Sequence, residues 1–493
     1  MKLNILLSQL KVDKFKGNPH LDIEGLAYDS RRVRDNFLFV AISGFKDDGH
    51  RFIPQAVQKG AKAIVVEKEV ENFPEKVAFI KVSSSRLALA KLGNCFYGFP
   101  SQKIKLIGIT GTNGKTTTAY LIESILKKAG FKVGRLSTID YSLGDKIYPS
   151  SRTTPESLDL QRMLREMVNE GCKYAVIEVS SHSLVLQRLE GVEFDWAVFT
   201  NLSLEHLDFH KTLDNYIEAK FSLFKNLSKY SKKQTFKVAV INIDDLVGRY
   251  IMNNISCGII TYGIKKKADI MGKTIKITHQ GTSFLLTRAE QKIGINLSLL
   301  GVHNVYNALA AASVGSGEGI ESHLIKEGLE EVNIVPGRLE FIGNNQGLNI
   351  FVDYAHTPDG LKKVLQTLRK ITRGRLIVVF GCGGDRDKEK RPLMGEIAID
   401  EADYSVITSD NPRSEDPQKI IEEIEEGVKR GGGKEKKDYL KLKDRKEAIK
   451  KALQMLESKD VLLIAGKGHE RVQIFKDKVI EFNDKEVIQE IVS

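Results

Sequence analysis

Cysteine is scarce in this chain of 493 residues: Cys95, Cys172, Cys257 and Cys382 stand dozens of residues apart, with no Cys-x-x-Cys pair. That excludes a disulfide scaffold and a sequence-local zinc site, and it points to reduced, mostly buried thiols in a cytoplasm. Long apolar runs are missing too. No stretch reaches the ~18–20 residues that a membrane helix needs. The opening Met1-Lys2-Leu3-Asn4-Ile5-Leu6-Leu7 is too short for a secretory signal. A secreted or membrane-spanning protein is therefore not expected. Low-complexity tracts and internal repeats of about 20–50 residues are also absent, which excludes a solenoid or propeller.

Hydrophobic residues make up 41% of the chain and charged residues 28%, so it can bury sizeable cores. At ~150 residues per domain the length suggests roughly three domains. Lys and Arg number 75 against 64 Asp and Glu, a net charge of +11. The excess is spread along the chain. Its one dense stretch, around Lys429 to Lys451, is interleaved with Glu435, Asp438, Asp444 and Glu447, as on a solvated helix face. A basic balance allows nucleic acid or smaller polyanions as partners, and nucleotides or other phosphorylated ligands also suit it.

Short apolar strands alternate with amphipathic helices, the pattern of an α/β protein with mostly parallel sheets. Breaks at Gly98-Phe99-Pro100-Ser101 and Pro336-Gly337-Arg338 divide it into three domains: 1–100, 101–335 and 336–493. In the last, strands are expected at Ile350 to Val352, Leu376 to Phe380, Tyr404 to Thr408 and Val461 to Ala465. Open α/β sheets bind ligands outside the carboxyl ends of their strands, so those ends are where function is sought.

The strongest local signal is Gly108-Ile109-Thr110-Gly111-Thr112-Asn113-Gly114-Lys115-Thr116-Thr117-Thr118. A strand precedes it. A helix follows, with Ala119, Leu121, Ile122, Ile125, Leu126 and Ala129 on one face and Gly130 just past its end. This is the setting of a phosphate loop, whose backbone N–H groups and helix N-terminus cradle an anion. Lys115 would reach the outer phosphates and the Thr116 hydroxyl a Mg²⁺ ion. The strict Gly-x-x-x-x-Gly-Lys-[Ser/Thr] spacing needs glycine at 109, where Ile109 stands; the strand–loop–helix context supports the assignment instead. Glu178, a carboxylate inside the apolar strand Tyr174-Ala175-Val176-Ile177-Glu178, is a costly placement unless paired or bound to metal, and is a second candidate ligand.

Gly111-Thr112-Asn113-Gly114-Lys115-Thr116-Thr117 resembles the ATP loop of the Mur ligases, the ADP-forming peptide synthetases of peptidoglycan precursor assembly. Further motifs agree in order: Tyr28-Asp29-Ser30-Arg31, Thr153-Thr154-Pro155-Glu156, Glu178-Val179-Ser180-Ser181-His182, Thr200-Asn201-Leu202, His206-Leu207-Asp208, and Gly301-Val302-His303-Asn304-Val305-Tyr306-Asn307. They continue with Pro336-Gly337-Arg338, Asp353-Tyr354-Ala355-His356-Thr357-Pro358, Gly381-Cys382-Gly383-Gly384-Asp385-Arg386-Asp387, Asp410-Asn411-Pro412-Arg413 and Gly466-Lys467-Gly468-His469-Glu470. The resemblance spans essentially the whole chain and is strongest to the members that add the third peptide residue.

The resemblance implies a small α/β UDP-binding domain, a central ATPase domain with a mostly parallel sheet and a Rossmann-like amino-acid domain. It implies ATP and two Mg²⁺ ions, held by Thr116 and Glu178, by His206, and by Lys220 as a carbamate (N6-carboxylysine). Lys115, Lys220, His206 and Glu178 are then the catalytic set. The nucleotide would be gripped by Gly111 to Thr117, Asn304, Asn307, Arg338, Asp353 and His356. The UDP-sugar peptide, UDP-N-acetylmuramoyl-L-Ala-D-Glu, would meet Ser30, Phe45, Lys46, Asp47, Thr153, Thr154, Ser180 and Arg188. Two positions depart from the pattern: Leu186, where some relatives carry glutamine, and Glu205, where aspartate is common.

meso-Diaminopimelate carries a carboxylate that L-lysine lacks, and a planar guanidinium suits it. Asp410-Asn411-Pro412-Arg413 resembles the family's diaminopimelate signature, which implies Arg413 on the distal carboxylate and Asp410 or Asn411 on the amine, with Arg386, Gly466 and Glu470 matching further contacts to the same amino acid. L-Lysine remains the alternative substrate, and a folylpolyglutamate synthetase-like ligase the neighbouring one. A nucleotide-dependent switch or a nucleic-acid-dependent ATPase would share only the phosphate loop. The expected protein is a cytoplasmic monomer with no nucleic-acid partner.

Overall fold

The strands expected from the sequence gather into three main sheets, seen in a computed structural model that describes all residues except 45–46, 71–72, 74–75, 228–232, 234 and 493. Among the described residues the N-terminal domain holds five strands, Val12–Lys16, Gly25–Ala27, Phe37–Val40, Ala61–Val66 and Ala78–Val82. They lie in the order first, fifth, fourth, third, second, and only the first runs antiparallel to its neighbour. The helix Ser85–Phe96 packs on this sheet. Ser84 caps it by accepting a hydrogen bond from the Leu87 N–H.

Eleven strands form the central sheet. Lys105–Thr110, which feeds the phosphate loop, lies between Tyr174–Glu178 and Trp196–Phe199, parallel to both, with Ile107 facing Val176 on one side and Trp196 on the other. Its residues alternate between two cores. Leu106 packs with Leu164, Ile177 and Phe199, whereas Ile107 and Ile109 pack with Leu121, Ile122 and Ile125 of the helix Lys115–Lys128. Burial on both faces makes the strand apolar throughout. Each such side chain contributes roughly 1.5–3 kcal/mol by leaving water. The helix ends as the sequence suggests, with Gly130 in the left-handed region at φ 85°.

The sequence did not signal how far this sheet extends. Hairpins add antiparallel strands at both edges: Asp140–Leu143 and Lys146–Pro149 on one, Gly281–Arg288 and Gln291–Leu297 on the other. Local alternation cannot distinguish a hairpin edge from another parallel unit, because only the pairing partner differs.

The C-terminal sheet has six strands. Asn349–Asp353, Val461–Ala465, Leu376–Phe380, Tyr404–Thr408 and Tyr439–Leu442 run parallel, and the short Glu340–Phe341 pairs antiparallel at one edge. Asp353, Gly381, Asp410 and Gly466 follow or end these strands along one rim. A buried ion pair anchors that rim from beneath. Arg445 Nε and Nη2 each lie 2.8 Å from an Asp484 carboxylate oxygen, and Nη2 also donates to the Ala465 carbonyl at 2.9 Å. Both side chains are fully buried.

Removing one partner of such a pair strands the other charge in the core. Asp484→Ala is expected to lose about 3–5 kcal/mol of unfolding free energy in a urea titration. A loss under about 1 kcal/mol would mean that water already reaches Arg445.

Candidate active site

The phosphate loop is shaped by two glycines. Gly111 has φ 147°, and a Cβ there would meet the Thr200 hydroxyl at 1.9 Å; Gly114 has φ 87°, and a Cβ would meet Asn307 Oδ1 at 2.3 Å. Any larger residue strains the backbone and collides at both positions. The neighbouring strand's end clamps the loop. Thr112 N–H donates to the Asn201 carbonyl at 2.8 Å, and the Thr200 hydroxyl donates to the Asn113 carbonyl at 2.7 Å.

Two amines meet inside it. Lys115 Nζ donates to the carbonyls of Gly111 at 2.9 Å and Thr112 at 2.7 Å, and Lys220 Nζ donates to the same Gly111 carbonyl at 2.8 Å. Lys220 projects from the helix Leu213–Leu227 and is buried. Burial, then the charge of Lys115, pushes its amine well below the ordinary lysine range. Burial lowers Lys115 as well.

Glu178 ends its strand fully buried, and the loop residue Thr138 satisfies its carboxylate. Thr138 N–H donates to Oε1 at 2.9 Å, and the Thr138 hydroxyl lies 3.1 Å from Oε2. That hydroxyl is also 3.1 Å from Thr153 Oγ1. Thr154 Oγ1 donates to the Glu178 carbonyl at 2.7 Å and accepts from Ser180 N–H at 3.1 Å, and Arg188 Nη1 donates to the Thr154 carbonyl at 3.1 Å. Glu178, on the strand beside the one that feeds the phosphate loop, thus ties Thr138 to Thr154, with Thr153, Ser180 and Arg188 around them.

His206 begins a short helix with φ 58°, and burial pushes its imidazole down to about 4. Beside it, Glu205 Oε1 sits 3.5 Å from Nε2 of both His206 and His356. Burial works against the Glu205 charge, but the hydrogen bond from His356 and the nearby cations hold its carboxyl well below the usual range. In the sequence alone Glu205 stands out only as a departure from aspartate.

The C-terminal domain closes over the loop. Arg338 Nη2 donates to Thr116 Oγ1 at 3.1 Å while its guanidinium lies over the Tyr354 ring, 4.7 Å from the centroid. Asn113 Nδ2 donates to Asp359 Oδ2 at 3.0 Å. Asp353, raised by burial, accepts from the N–H groups of Leu339 at 2.6 Å and Ala355 at 2.7 Å. Both its oxygens fix backbone on either side of the cavity, including the turn that carries His356. Asn304 and Asn307 are buried side by side, with Asn307 Nδ2 donating to Asn304 Oδ1 at 2.9 Å. These groups line a cavity of about 630 Å³ between the two domains.

A second cluster occupies the C-terminal rim. Lys467, fully buried, donates to Asn411 Oδ1 at 3.0 Å, Glu470 Oε2 at 2.9 Å and the Val472 carbonyl at 2.7 Å. Asn411 Nδ2 donates to the same Glu470 oxygen at 2.7 Å. Asp410 and Pro412 are buried beside it, and a Cβ on Gly466 would meet Asp410 Oδ2 at 2.7 Å. Arg413 Nη1 donates to the carbonyls of Gly384 at 2.8 Å and Asn411 at 3.4 Å. Burial, then Arg386, lowers its guanidinium. Arg386 is exposed, with Nη1 on the Asp385 carbonyl. Lys467 was visible only as part of a motif; its burial between two glycines is the signal that marks it.

In the N-terminal domain Ser30 Oγ donates to Gln55 Oε1 at 2.6 Å and Asp47 is exposed; Phe45 and Lys46 lie outside the described residues. Leu186 caps the helix Ser181–Val185, and the next residue, Gln187, accepts from Ser84 of the N-terminal domain at 3.2 Å.

Known proteins resemble this chain along its length. Residues 22–97 match the Mur ligase family, catalytic domain, residues 109–315 the Mur ligase middle domain, and residues 337–468 the Mur ligase, glutamate ligase domain. The chain is 47% identical over 496 residues to the UDP-N-acetylmuramoyl-L-alanyl-D-glutamate–2,6-diaminopimelate ligase of Clostridium tetani, covering 100% of this chain and 99% of that protein. A solved structure of a ligase of the same name is 30% identical with a TM-score of 0.67, covering 100% and 98% of the two chains. The MurF ligase from Thermotoga maritima in complex with ADP shares the fold at 22% identity and TM-score 0.65, covering 89% and 93%.

One titration checks the cavity directly. Burial, then the charge of Lys363, pushes His303, on its wall, down to about 4, against ~6.5 for an unfolded histidine. The unfolded chain therefore takes up a proton as pH falls through ~6.5, while the folded chain does not until about 4. The stability advantage of wild type over His303→Gln is expected to shrink as pH is lowered across that window. A constant difference would show that the folded ring charges freely.

Proposed function

The chain belongs to the Mur ligase family, and we propose that it joins meso-2,6-diaminopimelate to UDP-N-acetylmuramoyl-L-alanyl-D-glutamate, driven by ATP, in peptidoglycan precursor synthesis. The observation that carries this is identity of 47% along its whole length to a ligase of that name. Products are the UDP-linked tripeptide, ADP and phosphate.

A carboxylate is a poor acyl donor at neutral pH. Transfer of the γ-phosphoryl group to a carboxylate oxygen breaks the bond to ADP and makes an acyl phosphate. The amine nitrogen then attacks the acyl carbon, phosphate leaves and the nitrogen loses a proton. Catalysis is mostly positioning and charge neutralisation. The N–H groups of Gly111 to Thr117 surround the phosphates. Lys115 leaves its two carbonyls for the outer phosphate, and Arg338 and His356 approach it from the other domain. Asn304, Asn307 and Asp353 hold the walls of the nucleotide cavity in shape.

Among the described residues no three His, Cys, Asp or Glu side chains are grouped to hold a metal on their own. Mg²⁺ needs less, because it keeps waters and shares phosphate oxygens with one or two protein groups. Glu178 and Thr116, both oxygen donors on the cavity wall, fit that share, and His206 with Lys220 would serve a second ion. Such ions, when bound, would neutralise the two anions that must approach each other. As an amine Lys220 suits a hard cation poorly. Its neutral nitrogen can attack the carbon of CO₂ and lose a proton, giving a carbamate with oxygen ligands.

Ser30, Asp47, Thr153, Thr154, Ser180 and Arg188 bind the sugar peptide across the domains that divide near residue 100, with Phe45 and Lys46 assigned from sequence. Beyond the break near residue 335, Arg413 takes the distal carboxylate of diaminopimelate. Asp410, Asn411 and Glu470 take its ammonium, with Pro412, Gly466 and Arg386 framing the site. We further place the protein in the cytoplasm as a monomer; the buried thiols of Cys95, Cys172 and Cys382 are consistent with a reducing compartment.

Phosphate release from ATP and Mg²⁺ with UDP-N-acetylmuramoyl-L-Ala-D-Glu is expected with meso-diaminopimelate and not with L-lysine or without an amino acid. Release with lysine alone would keep the ligase and overturn the reading of Arg413. For Lys220, protein equilibrated with ¹³CO₂ is expected to show a carbamate carbon resonance that Lys220→Ala lacks, with activity of the variant down about 10²-fold or more. Full activity of Lys220→Ala in low bicarbonate would refute the carbamate.

A further inference from the structure

Two loops at the C-terminal rim hold conformations that their residues do not favour. Leu376–Phe380 and Tyr404–Thr408 are adjacent parallel strands, and the chain leaves each through a loop, residues 381–389 and 409–416. Asp385 in the first has φ 53° and Arg413 in the second φ 52°. Both lie in the left-handed region, which costs free energy for a residue with a Cβ and persists only where the surroundings impose it. The two backbones are pressed together there. Gly384 N–H donates to the Asn411 carbonyl at 2.9 Å, and a Cβ on Gly384 would meet the Pro412 carbonyl oxygen at 1.9 Å.

A single buried side chain reaches both loops. Arg391, fully buried in the first turn of the helix Lys390–Glu401, holds the Glu415 carboxylate bidentately, Nη2 to Oε1 at 2.9 Å and Nη1 to Oε2 at 3.0 Å. Such a pair fixes orientation as well as charge. Arg391 Nη2 also donates to the Gly383 carbonyl at 3.2 Å, and Nη1 to Glu423 Oε2 at 2.6 Å. Glu415 Oε1 in turn accepts from Asp385 N–H at 2.6 Å. Asp385 returns the grip: its Oδ1 accepts from the Ser414 hydroxyl and its Oδ2 from Ser414 N–H at 3.4 Å. The ring of contacts closes around Arg413, whose Nη1 donates to the carbonyls of both loops, at Gly384 and Asn411. The hydrogen bond from Arg391 pushes the Glu415 carboxyl down to about 2, so it stays charged through the neutral range.

We propose that Arg391, Glu415 and Asp385 are positioning residues that hold Arg413 at a fixed place and angle, and thereby set the preference for an amino acid with a second carboxylate. The inference rests on the ligase function and on the role of Arg413 proposed above. A guanidinium meets a carboxylate bidentately only when its plane and direction are right. A free arginine side chain would lose its rotamer freedom at each binding event, at the expense of affinity. L-Lysine lacks the second carboxylate and makes no use of that geometry. Loss of the clamp therefore weakens diaminopimelate and leaves lysine as it was, a change in specificity and not in the reaction.

The test is steady-state phosphate release with meso-diaminopimelate and with L-lysine, and calorimetric binding of each, for wild type, Glu415→Ala, Asp385→Val, Asp385→Asn and Glu423→Ala. Asp385 is exposed, so its variants are expected to fold. Valine breaks the bonds to Ser414 and resists the left-handed region, whereas asparagine keeps an acceptor and tolerates it. Glu423, on the helix Pro417–Arg430, is the other carboxylate on Arg391 and stands outside both loops. Glu415→Ala and Asp385→Val are each expected to raise KM for diaminopimelate about tenfold, with KM for ATP and for the UDP-sugar peptide within about twofold. The ratio of kcat/KM for diaminopimelate over lysine falls by the same factor, which loss of packing alone would not produce. Asp385→Asn and Glu423→Ala stay within about twofold of wild type. An unchanged KM for diaminopimelate, a rise in all three KM values, or an equal effect of Glu423→Ala would overturn the clamp. Absence of amino-acid-dependent release in wild type would instead defeat the ligase function. Calorimetry with meso-diaminopimelate would still read the clamp, as about tenfold weaker binding by Glu415→Ala, and equal binding would overturn it.

Discussion

The Gly111 carbonyl accepts from two lysines at once, and the rest of the site is arranged around that crowding. Lys115 and Lys220 are held there by burial and by a loop whose shape only glycine allows at 111 and 114. Two amines so close cannot both carry full charge cheaply. The site answers in two ways. Lys220 loses proton affinity, and Glu205 keeps its negative charge nearby, between two histidines. The cavity thus gathers cations and neutral bases in advance of its anionic ligands, as a centre that brings phosphate and carboxylate together requires.

Each domain contributes a different kind of rigidity. The central sheet fixes the phosphate loop and Glu178 at the ends of adjacent parallel strands, so their separation is set by backbone pairing rather than by side-chain choice. The C-terminal rim is fixed from below by the Arg445–Asp484 pair and from within by Lys467, which uses three acceptors to hold Asn411 and Glu470 together. Arg338, Asp359 and His356 then carry that rim onto the loop.

Much of this was legible in the sequence, for reasons that differ from residue to residue. The phosphate loop and the strands of the C-terminal sheet are local patterns of apolar runs and glycine, and they lie where those patterns put them. Glu178 could be read because a carboxylate at the end of an apolar strand needs a partner. Thr138, which satisfies it, lies 40 residues away and looks like any loop threonine until the sheet forms. Glu205 and Lys467 were similarly hidden. Their significance lies in what they face, and contacts across domains leave no mark on local periodicity. The antiparallel hairpins at the edges of the central sheet escaped for the related reason that register is a property of pairs.

The contact between Arg338 and Thr116 has a thermodynamic consequence. Thr116 Oγ1 accepts from a guanidinium of the other domain. Were an ion to take that hydroxyl in place of Arg338, the apparent nucleotide affinity would fall by the fraction of molecules in which the contact persists. The same contact acts as a latch, tying the first turn of the helix Lys115–Lys128 to the residue that follows Pro336-Gly337.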